Sequence, residues 1–240
     1  MTILFDMKIK IKFITLLSLP FLAALGLFTS CEKQEGKYAI GDFMVSFGVI
    51  VKNPETAENN YQIRLDNGDQ FVAITSSPYT AGMKAGQRVL VNFAPFDDKI
   101  NADNSKTIYG KINLVQNILY KEILPLAQTS MDSIGKDPVI VRESWITGDS
   151  ILTIGFNYYK EGAVHLINLV DNAEGDGKEK PFILELRHNA KGDQPLYRAS
   201  GYVSFKLNNF KPAGEHKVDF YLRYTDYEGR RVDLPHSISY

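Results

Sequence analysis

The chain has 240 residues, 44% of them hydrophobic and 23% charged, with 27 Lys and Arg against 28 Asp and Glu. That balance excludes a disordered acidic tail and a strongly basic nucleic-acid binder. Aromatic residues make up 12% of the chain, which favours strands over helices, and a single cysteine excludes an intramolecular disulfide framework.

The N-terminal thirty residues carry an address. Lys8, Lys10 and Lys12 form a basic region, Phe13 to Phe28 form an apolar stretch broken by Pro20 and Gly26, and Thr29, Ser30 and Cys31 close it with small residues. A basic start, a short apolar centre and a small-residue exit mark a secretory signal peptide. The apolar run of 16 residues falls short of the roughly 20 that a spanning helix needs. Met7 offers an alternative start with a tidier basic region. Leu27-Phe28-Thr29-Ser30-Cys31 resembles a bacterial lipobox, with Phe where Leu is usual. It implies lipid attachment at Cys31, which becomes the first residue of the mature chain. Without residues 1–30 the chain has 24 basic and 27 acidic side chains, a formal charge of −3. Nothing in that balance draws in a phosphate backbone, so no nucleic-acid partner is expected. Residues 31–37 read as a polar tether. The expected location is the cell envelope, at the outer membrane, facing either the periplasm or the exterior.

Residues 38–122 read as a first all-β domain. Phe43, Val45, Phe47, Val49 and Val51 alternate with Met44, Ser46, Gly48 and Ile50, which predicts a strand with its Phe/Val side buried. Gly48 weakens that strand unless it marks a bulge or a sharp coil. Tyr61, Ile63 and Leu65, then Asp66-Asn67-Gly68-Asp69, then Phe71, Ala73 and Thr75, predict a hairpin turning at Asn-Gly. Val89, Val91 and Phe93 share a face in the next strand, and Ile108, Ile112 and Leu114 do so in a segment over 107–121. Five strands in about 80 residues suit a small closed antiparallel barrel of the OB type, with an SH3-like barrel as the alternative.

Residues 123–136, with Pro125 and Gly135, read as a linker. The pattern then restarts over 137–240. Val139 and Val141 lead to Trp145; Leu152, Ile154, Phe156 and Tyr158 share a face; His165, Ile167 and Leu169 follow. Leu184, Leu186 and His188 alternate with Glu185 and Arg187, and two further strands centre on Phe205 and on Phe220 and Leu222. Six or seven strands in about 100 residues predict a β-sandwich.

Six stretches resemble the NigD-like family of exported lipoproteins: residues 43–48 (FMVSFG), 61–68 (YQIRLDNG), 86–93 (GQRVLVNF), 165–170 (HLINLV), 184–193 (LELRHNAKGD) and 201–207 (GYVSFKL). The resemblance spans about 38–224. It implies an OB-like N-terminal domain, a C-terminal β-sandwich, and a bacteriocin-related role in secretion or immunity. It carries no catalytic or ligand residue onto this chain.

Motifs of chemistry are sparse. There is no Gly-x-Ser-x-Gly elbow, and Ser133-Ile134-Gly135-Lys136 matches Ser-x-x-Lys without its companion motifs. The histidines His165, His188, His216 and His236 show no ligand-pair spacing, so no metal or other cofactor is expected. His165 and His188 share faces with apolar neighbours and read as core histidines; sequence does not place them together. Asn172, Glu174, Asp176 and Gly177 mimic half a calcium loop, but Ile183 stands where a bidentate Glu is required. Asp97 and Asp98 read as solvated loop acids. The candidate exposed aromatics are Tyr221, Tyr227, Tyr240 and one of the adjacent Tyr158 and Tyr159, of a type that suits protein or sugar recognition. The expected function is therefore a lipid-anchored envelope binding or interaction protein, not an enzyme, with a protein, peptide or glycan ligand. The alternative is a hydrolase of envelope or extracellular polymers.

Overall fold

A computed structural model describes residues 38–39, 41–52, 61–75, 83–125, 131–148, 150–171, 182–210 and 216–240. The expected signal peptide, Cys31 with its expected lipid, the expected tether and the calcium-loop mimic at 172–177 lie outside the described residues. From Gly41 to Tyr240 the chain forms one compact unit.

The first domain closes as expected. β1 (Met44–Lys52), β2 (Gln62–Leu65), β3 (Gln70–Thr75), β4 (Arg88–Ile100) and β5 (Lys106–Asn117) form a closed barrel in the order β1-β2-β3-β5-β4. β3 and β5 run parallel, and the other pairs are antiparallel. This Greek-key closure is the OB arrangement rather than the SH3-like one. Inside it, Phe71 and Phe93 pack with ring centroids 4.2 Å apart among Ile50, Ile63, Val89, Val91, Ile108 and Ile112. The β2–β3 hairpin turns at the expected place, with positive φ at Gly68 alone; Asn67 instead receives the Asp69 N–H on its side-chain oxygen at 3.1 Å.

Small barrels coil tightly, and two glycines permit it. A Cβ on Gly110 would lie 2.2 Å from the Ala94 carbonyl oxygen, and one on Gly48 would lie 2.6 Å from that of Arg64. Gly110 sits where β4 bulges between Pro95 and Asp97.

The face of β1 differs from expectation. Phe43 and Val45 are exposed, Val51 is exposed, and Ile50 from the supposedly outer set is fully buried. The reason is that β1 serves two cores: Ile50 points into the barrel, while Phe47 leaves it to pack on Trp145 and Tyr202 of the second domain, at 5.1 and 4.9 Å. Asp97 and Asp98 likewise lie on β4, which runs to Ile100, and not in a loop.

The second domain is a sandwich that begins earlier than the composition suggests. Residues expected to finish the barrel and open a linker are strands of the sandwich: β6 (Leu119–Glu122) pairs with β12 (Tyr197–Lys206), and β7 (Leu124–Pro125) pairs with β10 (Leu166–Asp171). A short helix α1 (Met131–Ile134) follows. One sheet has the order β6-β12-β9-β8, with β8 (Ile140–Ile146) and β9 (Ile151–Lys160). The other runs β14-β13-β11-β10-β7, with β11 (Phe182–Asn189), β13 (Lys217–Thr225) and β14 (Arg231–Ser239). Leu152, Ile154, Val203 and Phe205 from the first sheet meet Leu169, Leu184, Phe220 and Leu222 from the second. Glu185 and Arg187, which alternate with Leu184 and Leu186 on the other side of β11, are also buried and are paired at 2.8 Å. β14 escapes sequence detection because Pro235 interrupts its pattern; as an edge strand it tolerates a residue that cannot donate to a ladder.

The barrel is seated on the outer face of the four-stranded sheet. Arg88, 1% exposed, forms a two-pronged ion pair with Asp66, donates from Nε to Ser204 Oγ at 3.2 Å and from Nη2 to Thr153 Oγ1 at 2.9 Å. Trp145 Nε1 donates to the same Asp66 carboxylate at 2.9 Å.

Candidate functional site

Two places concentrate unusual chemistry. The first is at one end of the sandwich. β10 and β11 pair antiparallel, with Leu166 opposite Asn189 and Ile167 opposite His188. His165, one residue before β10, therefore lands beside His188 near the end of β11. Their rings approach with His165 Nδ1 2.8 Å from His188 Nε2. The outer nitrogens are also engaged: His165 Nε2 meets Asp193 Oδ2 at 2.9 Å, and His188 Nδ1 meets the Pro138 carbonyl oxygen at 3.1 Å. Tyr158 closes the side of the pair, its ring 5.0 Å from that of His165 and 5.6 Å from that of His188.

Asp193 was not a sequence candidate. It sits in the loop between β11 and β12, after Lys191 and Gly192 at positive φ, and its carboxylate accepts the backbone N–H groups of Glu161, Gly162 and Ala163 at 2.9–3.3 Å. The His165 bond, aided by these N–H groups, holds its pKa down at about 2. Burial pushes the His188 pKa below the ordinary histidine value. Burial does the same to His236, which bonds Ser144 Oγ at 2.9 Å and stacks on Phe220. His216 is exposed.

A depressed histidine pKa means that the folded state binds fewer protons than the unfolded chain, so stability rises with pH through that window. The contribution of His188 and His236 is complete above about pH 6.5, and it is lost as pH falls below that. Asp193, and Asp233 held down by Arg223, add a second loss below about pH 3.8. Denaturant midpoints measured from pH 6.5 down to pH 3 are expected to fall in these two steps. A midpoint that rises on acidification to pH 5 contradicts the assignment.

The second place is a cleft of about 670 Å³ on the barrel. Val51 from β1, Arg64 from β2, Gly68 and Gln70 from the β2–β3 hairpin, and Asn101, Asp103, Ser105 and Thr107 around the β4–β5 loop line it. Its hydrogen-bonding groups are organised: Gln70 donates to Gln62 at 3.0 Å, Asn101 donates to Ser105 Oγ and Thr107 Oγ1 at 3.0 and 3.2 Å, and Ser105 Oγ donates to Asp103 at 2.6 Å. The Ser105 hydroxyl, and its backbone N–H at 3.0 Å, both donate to the Asp103 carboxylate and lower its pKa. The β4–β5 loop carries no sequence motif; it reaches the β2–β3 hairpin because β5 pairs with β3, with Thr107 opposite Gln70.

The other candidates are dispersed. Ser133 and Lys136 are both exposed at the surface around α1. Tyr240 is tied down rather than free, its hydroxyl donating to the Phe210 and Leu207 carbonyl oxygens at 2.9 and 3.1 Å. Tyr227 is partly exposed and accepts the Tyr159 N–H at 2.9 Å. Among the described residues, no group of three or more His, Cys, Asp or Glu is arranged to hold a metal ion.

A closed OB-like barrel seated on a β-sandwich through a buried polar junction defines a two-domain all-β protein. The family model of the NigD-like C-terminal beta sandwich domain matches residues 122–235, beginning inside β6 where the structure begins the sandwich. The crystal structure of a toxin-related protein from Parabacteroides distasonis is 30% identical, with a TM-score of 0.67, covering 82% of this chain and 94% of its own. The chain belongs to the NigD-like family. Two further crystal structures share the fold. A protein of unknown function from Bacteroides vulgatus is 24% identical at TM-score 0.62, over 83% of this chain and 91% of its own. A NigD-like immunity protein from Bacteroides caccae is 16% identical at TM-score 0.62, over 84% and 99%. No functionally curated protein matches the chain significantly.

Proposed function

We propose that this protein is an envelope-anchored binding protein of a bacteriocin-related kind, tethered through a lipid on Cys31 and taking its ligand in the barrel cleft. The cleft is the observation that carries the proposal. Its described lining residues include the cation Arg64, the amides of Gln70 and Asn101 and the hydroxyls of Ser105 and Thr107. Such a lining suits an extended polar ligand with amide or carboxylate groups, a peptide segment before a bare glycan, since no aromatic ring is among its described lining residues to stack on a sugar. Family membership and the toxin-related and immunity names of the relatives support a protein toxin or its secretion partner as the source of that peptide. A glycoside hydrolase of the usual kind would need two carboxylates across the cleft; Asp103 is the one acid among its described lining residues, and Ser105 engages it.

Cys31→Ser is expected to move the protein from the membrane fraction to the soluble fraction. The soluble chain from Glu32 is expected to retain a specific protein from native envelopes, and Arg64→Glu with Asn101→Ala to lose it. Equal retention by that variant overturns the cleft as the site. An absent partner, with no thermal shift on adding envelope peptides, overturns the binding role.

A further inference from the structure

Hydrogen-bond chemistry fixes the protons of the histidine pair. A carbonyl oxygen only accepts, so His188 Nδ1 carries a hydrogen toward Pro138. The Asp193 carboxylate also only accepts, and it is already taking three backbone N–H groups, so His165 Nε2 carries a hydrogen toward it. Between the rings, 2.8 Å leaves room for one hydrogen and requires one. The row therefore holds three protons on four ring nitrogens. Two neutral imidazoles carry only two, so the pair shares one positive charge.

We infer that His165 and His188 form a single-proton pair that acts as an acid-released latch on this end of the sandwich. A second proton would set two N–H donors head to head at the inner contact, and the rings must then separate. Asp193 keeps its charge in mild acid, so the Glu161–Ala163 segment, His165 and Asp193 stay joined to one another. What gives way is their hold on His188, and with it the Leu166–Asn189 end of the β10–β11 pair.

The ionisable groups facing the pair are Tyr158 from β9, Asp193 from the β11–β12 loop, and Asp137 from the segment entering β8. Asp137 also accepts the Ala190 N–H at 2.6 Å, so both loops beside the pair answer to its charge. The unit that swings carries Val164 and lies next to Leu196 and Tyr197, which are 77%, 59% and 67% exposed. Burial and the charge of His165 both oppose a proton on His188, which sets the release on the acid side of neutrality.

The test is nitrogen-15 NMR of the histidine rings together with amide hydrogen exchange, on the soluble chain from Glu32 between pH 8 and pH 4. At pH 7, hydrogens are expected on both His165 Nε2 and His188 Nδ1, with one further hydrogen shared by the inner nitrogens. As the second proton enters, exchange at Leu166 and Asn189 is expected to quicken at least tenfold, while Glu161, Gly162 and Ala163 stay protected. Asp193→Asn keeps an acceptor but removes the balancing charge. It is expected to strip the shared proton at neutral pH. Two neutral rings in the wild-type protein at pH 7 overturn the single-proton pair. Exchange at Leu166 and Asn189 that is indifferent to the second proton overturns the latch.

Discussion

Arg88→Ala is expected to destabilise the protein by about 3–5 kcal/mol, the range for removing one partner of a buried ion pair. The guanidinium is 1% exposed and answers to three groups at once: the Asp66 carboxylate, Thr153 Oγ1 and Ser204 Oγ. Thr153 and Ser204 can satisfy each other, since their hydroxyls already lie 2.9 Å apart. Asp66 cannot be compensated so cheaply. Its side chain is 17% exposed, and only the Trp145 indole N–H would remain to it among these partners. The loss therefore comes chiefly from a carboxylate left half-solvated in the junction. Trp145 is the only tryptophan in the chain, so its fluorescence reports this place directly during urea unfolding. Surface pairs weaken in salt, but a buried pair is poorly screened. The cost should be nearly the same at low and high ionic strength. A loss below about 1 kcal/mol, or one that vanishes in salt, would put the pair among ordinary surface bridges.

That junction shows where sequence stops being informative. Periodicity over Val89 to Phe93 and Leu184 to His188 is a local property of one strand, and it predicted both strands and their inner faces. The faces that fail are those whose partner comes from another domain. Phe47 reads as barrel core because it shares the Phe/Val side of its strand, yet it covers Trp145. Arg88 opens a strand as any surface arginine might, and only the seating of the barrel on the sandwich makes it buried. The histidines follow the same rule. His188 was legible as a core residue, but its meeting with His165 depends on the β10–β11 register, and Asp193 reaches them from a loop 28 residues away from His165. Nothing in the spacing of those residues encodes the approach. The domain boundary failed for a related reason: β6 and β7 are short and continue the polarity of β5, so no composition shift marks the crossing.

Phe93→Ala is expected to cost about 3–5 kcal/mol, from lost transfer energy and the cavity left behind. Phe93 is fully buried, and its ring packs against Phe71 in a barrel too small to collapse around the gap. The barrel's described core residues form a cluster distinct from that of the sandwich, so by core alone the two domains could unfold separately. The junction argues otherwise. If the barrel melted first, Thr153 and Ser204 would lose Arg88, Trp145 would lose Asp66, and the outer face of the four-stranded sheet would be bared. A single transition is therefore expected for the wild-type protein, and Phe93→Ala should shift it equally whether read by Trp145 fluorescence or by amide exchange in β11, deep in the sandwich. The same substitution combined with Arg88→Ala should divide the transition, with the barrel unfolding first. If Phe93→Ala alone lets the barrel melt while β11 keeps its full protection, the junction is a contact between two independent domains and not the element that makes them one.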